Sequence, residues 1–160
     1  MIQYSTSDRL HSDEYLEFLT RCDLGFQYPE ENFLERIGTL LKNTTLIITA
    51  RNDEGLLIGV VMGLTDFAYY LLVTDLGVDR TYVKQGVGSA LLHKIHEAAG
   101  GEQRICVFLD SYDPAKGFYE KLGMHNSSSL MYYDKAPWTS FTLTPEKLAS
   151  LKAESEGDVK

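Results

Sequence analysis

The chain has few of the devices that hold a protein together from outside a hydrophobic core. Its 160 residues include two cysteines, four prolines and one tryptophan. Cys22 and Cys106 form no CxxC pair and have no histidine at ligand spacing, which excludes a disulfide scaffold and the usual zinc patterns; both read as reduced core thiols. His11, His93, His96 and His125 form no ligand set either, so no metal is expected. The longest apolar stretch, LLIGVVMGL, falls well short of the roughly 18 residues that suggest a membrane span. MIQYSTSDRL, at the start, lacks the apolar segment of a signal peptide, and a cytoplasmic protein with no membrane partner is expected. Basic runs are also missing. Asp and Glu outnumber Lys and Arg by 23 to 15. The resulting charge of -8 repels phosphodiester backbones, so nucleic acid is not expected as a partner, whereas a cationic amine suits the field.

What is present is an ordinary soluble composition, 44% hydrophobic and 24% charged, at the size of one domain. Tyr15, Phe18, Leu19 and Cys22 recur at helical spacing, as do Phe33, Leu34, Ile37, Leu40 and Leu41. TTLIITAR and LLIGVVMGL, separated by NDEG, read as a hairpin, and YYLLVTDLGV as a third strand. A helix follows with Val87, Ala90, Leu91, Ile95 and Ala98 on one face, closed by Gly100 and Gly101. RICVFLD reads as a buried strand. DPAKGFYEKLG has Asp113 as N-cap, Pro114 at the first helical position and Gly123 just past the end. MYYD and SFTL read as late strands, TPEKLASLKAE as a last helix and ESEGDVK as a solvated tail. Residues 1–140 are expected to form one domain and 141–160 an extension.

YVKQGVGSALLHKIHEAAGG places Gly86 and Gly88 directly before the third helical pattern. Glycines there leave no Cβ in the way of a ligand, so consecutive amides can point into one concavity that attracts anions. A Walker loop is excluded because no GxxxxGK(S/T) stretch exists. A dinucleotide fingerprint meets Leu91 where a small residue is needed, and seven residues separate Val78 from Gly86. The residues alone leave open a plain turn with a glycine at a helix start.

LGVDRTYVKQGVGSALL, taken with DPAKGFYEKLGM one strand later, resembles the pyrophosphate loop and the Tyr-bearing helix of the GNAT superfamily of acetyl-CoA-dependent N-acetyltransferases. The likeness covers Leu56 to about Tyr133. It implies an α/β fold with a mixed, mostly antiparallel sheet of 6–7 strands, flanked by about four helices and splayed between strands 4 and 5. It also implies acetyl-CoA as cosubstrate and transfer of acetyl to a primary amine of a small molecule or peptide by direct attack in a ternary complex. Gly86 and Gly88 occupy the glycine positions of the (R/Q)xxGxG/A loop, and Val83 stands where Arg or Gln is usual. The loop residues implied to hold the coenzyme are Val83, Lys84, Gln85, Gly86, Val87, Gly88, Ser89 and Ala90. Tyr112 replaces the Asn of the second motif and joins them, and the strand backbone at Leu76, Gly77 and Val78 is implied to pair with the pantetheine amides. Tyr119 takes the general-acid position, with a core aromatic as the alternative reading, and Asp75 is the candidate base, with a strand-end Asp satisfying neighbouring amides as the alternative. Phe26, Tyr28 and Glu30, in DLGFQYPEE, are candidates for the acceptor wall. A non-catalytic acyl-CoA-binding or sensor module is the second reading, favoured by Val83 and Tyr112. A homodimer is left open by the late strands and C-terminal helix.

Overall fold

The β-branched, apolar runs between residues 46 and 78 form the middle of a sheet, because alternate side chains of a pleated strand bury on both faces when helices cover both. The computed structural model describes residues 1–24, 29–133 and 141–157. The elements run β1 (Gln3–Ser5), α1 (Ser12–Arg21), α2 (Phe33–Asn43), β2 (Leu46–Arg51), β3 (Leu57–Thr65), β4 (Tyr70–Val78), α3 (Val87–Ala99), β5 (Cys106–Leu109), α4 (Asp113–Lys121) and α5 (Pro145–Gly157). The strand order is β1-β2-β3-β4-β5, antiparallel except for β4 and β5, which are parallel and joined through α3. In the predicted NDEG turn, the Asn52 side-chain oxygen accepts the amides of Glu54 and Leu56 at 3.1 and 2.9 Å.

Two cores sandwich the sheet. Tyr15, Phe18 and Leu19 of α1, Phe33 and Ile37 of α2, and Leu143 and Leu148 near α5 pack on Leu57, Val60 and Met62. Val87, Leu91, Leu92 and Ile95 of α3 cover Ile48, Ile58, Val61 and Leu71 on the other face. β3 thus divides its side chains between the two layers, as a two-faced central strand must.

The mixed sheet is smaller than expected: five strands and five helices are described, against the expected 6–7 strands and about four helices. Among the described residues, MYYD and SFTL form no strand. A strand of this kind has to bury one face, and Met131, Tyr132 and Tyr133 are 93, 86 and 83% exposed. Phe141 and Leu143 go instead to the helical core, where the Phe141 ring meets Phe33 edge-on at 5.0 Å. Helix α5 runs through Gly157, past the expected start of the tail, and Lys152 binds Asp13 of α1 at 2.7 Å. Asp113 is the first residue of α4, and Tyr112 takes the N-cap position.

Strand β4 carries one irregularity. Met62 stands opposite Asp75 and Gly63 opposite Val73, so Thr74 is an extra residue in β4, a β-bulge. The bulge changes which face the strand presents. Leu71 and Val73 belong to the α3 core, whereas a Cβ added at Gly77 would lie 2.6 Å from Leu24 and 3.2 Å from Phe18 on the α1 side. The missing Cβ at Gly77 therefore makes room for Leu24. Beyond Val73 and Leu109 the pairing of β4 with β5 ends, while β4 continues to Val78.

The turn after β4 is fastened to the end of α1. The Arg80 guanidinium donates to the carbonyls of Thr20 and Cys22 at 2.9 and 2.7 Å and to Asp23 at 2.9 Å, satisfying carbonyls that a helix end leaves open. Buried Asp79 binds Arg21 and accepts the Thr81 hydroxyl and amide at 2.7 and 2.8 Å. Burial by itself would raise the Asp79 carboxyl, but these donors outweigh it and hold it below its ordinary value of 3.8. A carboxyl lowered in the folded state contributes stability above its unfolded pKa and loses it as pH falls through the folded value. The expected result is that the urea midpoint of the native chain drops more steeply below about pH 4 than that of Asp79→Asn, which starts lower at pH 7. Parallel curves would show that the Asp79 charge does not contribute.

Candidate active site

Where β4 and β5 part, a cleft of about 410 Å³ opens between them. One wall is β4 from Val73 to Val78, and the other is Leu109, Asp110, Ser111 and Tyr112. Tyr82, Val83, Lys84 and Gly88 close one end, Asp23 and Leu24 come from the end of α1, and Pro114, Ala115, Phe118 and Tyr119 of α4 complete the lining.

At the start of α3 the backbone is set for an anion. Gly86 is the N-cap at φ +83°, a left-handed conformation that suits glycine, and Lys84 adopts φ +63°. The first helical bond runs from the Ala90 amide to the Gly86 carbonyl at 3.0 Å. The amides of Val87, Gly88 and Ser89 lie before it, where a helix offers no internal acceptor. The first turn carries no acidic residue, so nothing opposes the positive end of the helix dipole. A Cβ added at Gly88 would come within 3.3 Å of the Phe118 ring and 3.7 Å of Val78. The bare backbone keeps this cradle open, and a diphosphate fits its donors.

Tyr119, from α4, lines the same cleft. It is half-buried against the α3 core, with the Phe118 ring edge-on at 5.0 Å. Burial, then the neighbouring charge of Tyr112, raises its phenol above the ordinary 10.0, so it stays protonated throughout the neutral range. A phenol held in that form donates a proton or a hydrogen bond more readily than it accepts one. Asp75 is 4% exposed and lines the same cleft. The two groups thus share one cleft although they are separated by 44 positions and stand on different elements.

Asp75, Leu76, Gly77, Val78, Val83, Lys84, Gly88, Tyr112 and Tyr119 all line the cleft. The other predicted loop residues do not present side chains there. Val87 is buried in the α3 core, because the first turn of α3 must pack on the sheet. Gln85 donates to the Thr81 carbonyl at 3.0 Å. Ser89 and Ala90 sit on the helix just beyond, and Gly86 contributes its backbone turn. Glu30 does not line the cleft, being drawn to Lys147 of α5. Phe26 and Tyr28 lie outside the described residues. Sequence reasoning missed Phe118, Leu109, Asp110, Pro114 and the bulged Thr74. Phe118 was open to discovery, since it precedes Tyr119 and lies four residues beyond Pro114, one turn along the same helix. Among the described residues no group of three or more His, Cys, Asp or Glu side chains converges on a metal position. No described helix is long and apolar enough to cross a membrane.

The family profile described as Acetyltransferase (GNAT) domain matches residues 43–124, more than half of the chain. The chain belongs to the GNAT acetyltransferase family. A provisionally assigned acetyltransferase from Deinococcus radiodurans superposes with a TM-score of 0.65 at 24% identity, over 84% of this chain and 88% of its own. A Trypanosoma brucei acetyltransferase gives 0.58 at 23%, over 84% and 99%. AAC(6')-Iy, in complex with the bisubstrate analogue CoA-S-monomethyl-acetylneamine, gives 0.62 at 15%, over 84% and 98%. At these identities the structural likeness concerns the fold. A search of curated proteins gave no significant match.

Proposed function

We propose that the chain is an N-acetyltransferase that moves acetyl from acetyl-CoA to a primary amine of a small molecule or peptide in a ternary complex. The observation that carries this reading is one cleft bearing the anion cradle of α3 at one end and a protonated Tyr119 in its wall. Acetyl-CoA, when bound, supplies a thioester whose carbonyl carbon accepts the amine. The amides of Val87, Gly88 and Ser89, which lie before the first helical bond, hold the diphosphate together with the turn from Lys84 to Gly86, each charge-assisted bond contributing about 1.5 to 3 kcal/mol. Val83 offers a backbone amide where the family usually has a longer polar side chain, and Ser89 contributes its first-turn amide rather than its hydroxyl. The edge of β4 at Leu76, Gly77 and Val78, free of β5, pairs with the pantetheine amides as an added strand. Tyr112 closes over the coenzyme from the opposite wall.

An amine with a pKa of roughly 10.4 is protonated at neutral pH and must lose that proton before it attacks. Asp75 takes it, directly or through water. The new bond joins nitrogen to the acetyl carbon, the carbon–sulfur bond breaks, and sulfur leaves with the electron pair. Tyr119 gives its proton to that sulfur, the nitrogen sheds its second proton to solvent, and solvent returns one to Tyr119. The bound analogue in AAC(6')-Iy combines a CoA moiety with an acetylated amine-bearing molecule, and this supports the same pairing of ligands here.

Titration with acetyl-CoA during thermal unfolding is the first test. At one hundred times the dissociation constant the ligand adds about 2.7 kcal/mol of stability, roughly 5 to 10 °C for a domain of this size. No rise at millimolar acetyl-CoA would overturn the reading. A rise with no thiol release across a broad amine panel supports the acyl-CoA sensor, which Val83 and Tyr112 favour. Asp75→Asn is expected to lower kcat about a hundredfold at pH 7 and to recover as pH approaches the amine pKa, where the base becomes unnecessary. A loss that is uniform across pH would leave Asp75 with a packing role.

A further inference from the structure

The large apolar side chains left uncovered by the helices form a row. Leu64, Leu72 and Phe108 stand opposite one another across β3, β4 and β5. Leu71 and Val73 bury under α3, so strand alternation turns Tyr70 and Leu72 to the opposite face. That is the face to which Asp75 turns beyond the bulge, opposite Met62 of the α1 core. Leu64 and Leu72 are 44 and 43% exposed and Tyr70 is 55% exposed, with its ring 5.5 Å from that of Phe108. The row leads into the reaction cleft, because Asp75, which β4 presents on the same face just beyond the bulge, lines it.

We propose that this row is the floor of the acceptor site and that the acceptor is an amphipathic primary amine with an alkyl or aryl body. The inference rests on the acetyltransferase reading of the cleft. The amino end enters at the bulge beside Asp75, and the apolar body lies across Leu72, Phe108 and Tyr70. Asp23, Asp75 and Asp110 gather in the cleft at the amino end, and a polycation would need further carboxylates along the row itself. The nearest one in the β3–β4 turn, Asp66, already accepts the amides of Ala68, Tyr69 and Tyr70 at 2.9, 2.8 and 3.0 Å. A contiguous exposed apolar surface on a soluble chain marks a contact site, and continuity with the cleft favours a ligand over a second copy of the chain as its occupant.

The test measures thiol release at saturating acetyl-CoA for ethylamine, butylamine, hexylamine, octylamine and phenethylamine, with spermidine and glucosamine as polar comparisons. The expected result is a rise in kcat/KM of about threefold per added methylene until the row is spanned. Leu72→Gln and, separately, Tyr70→Thr are expected to flatten that slope and raise KM for hexylamine about tenfold, while acetyl-CoA still raises Tm. A flat series, preference for spermidine or glucosamine, or an unchanged slope in both variants overturns the proposal. So does a native chain that sediments as a dimer and becomes monomeric in Leu72→Gln with the slope unaltered, since the row then belongs to an interface. If acetyl-CoA neither raises Tm nor releases thiol with any amine, the acetyltransferase reading falls too, an outcome distinct from thiol release without chain-length preference.

Discussion

Tyr119→Phe is expected to lower kcat by about a hundredfold to ten-thousandfold, the range spanned by loss of a positioned general acid, with little change in the acetyl-CoA concentration needed for half-maximal Tm shift. The asymmetry stems from where the hydroxyl sits. The ring keeps its packing against Phe118 and the α3 core in the variant, so the cleft retains its shape. Only the proton donor is lost, and a thiolate leaving without a proton is the harder step. The pH profile gives a second check. Because the phenol is raised above 10.0, the native rate should hold through pH 9 and fall only beyond it. In Tyr119→Phe that alkaline limb should vanish along with the rate. An unchanged kcat would remove Tyr119 as the acid and return it to the core.

Gly88→Val is expected to raise KM for acetyl-CoA by about a hundredfold and abolish the Tm shift at ordinary ligand concentrations. Even a bare Cβ at this position lies 3.3 Å from Phe118, and two further methyl groups must enter the space between that ring and Val78. In the proposed placement of the coenzyme they stand where the diphosphate meets the first-turn amides, so two charge-assisted hydrogen bonds of about 1.5 to 3 kcal/mol each are expected to be lost or displaced. Folding is less affected, since the Gly88 backbone is already helical and valine costs a helix well under 1 kcal/mol relative to alanine. Unfolding in urea without ligand separates the two effects. A variant that binds acetyl-CoA normally would place the coenzyme elsewhere.

The two motifs were legible because their signals are short-range. The spacing of Gly86 and Gly88 before Val87, Leu91 and Ile95 marks a turn feeding a helix, and the Pro114 to Gly123 stretch has its own start and stop residues. The hairpin was legible from Asn52 to Gly55 for the same reason. The bulge at Thr74 was not. YYLLVTDLGV alternates evenly when read alone, which would put Leu71, Val73, Asp75 and Gly77 on one face. Pairing with β3 inserts Thr74 out of register and sends Asp75 and Gly77 to the face opposite Leu71 and Val73. The role of Leu109 in the cleft was hidden too, because it reads as an ordinary core residue until the gap between β4 and β5 exposes one side of it. The attraction of Glu30 to Lys147 was not legible in its loop composition, since it depends on α5 returning across the molecule. Likewise MYYD and SFTL have strand composition, but Phe141 and Leu143 find more burial among the helices.

The order of helices and strands, the glycine turn at α3 and the tyrosine of α4 were determined by the sequence itself, since each depends on residues within a few positions of one another. The tertiary structure decided which of these residues share a cleft, which face Asp75 presents and which apolar side chains stay uncovered. Those outcomes depend on strand register and on where two strands stop pairing, and both are set by contacts between segments far apart in the chain.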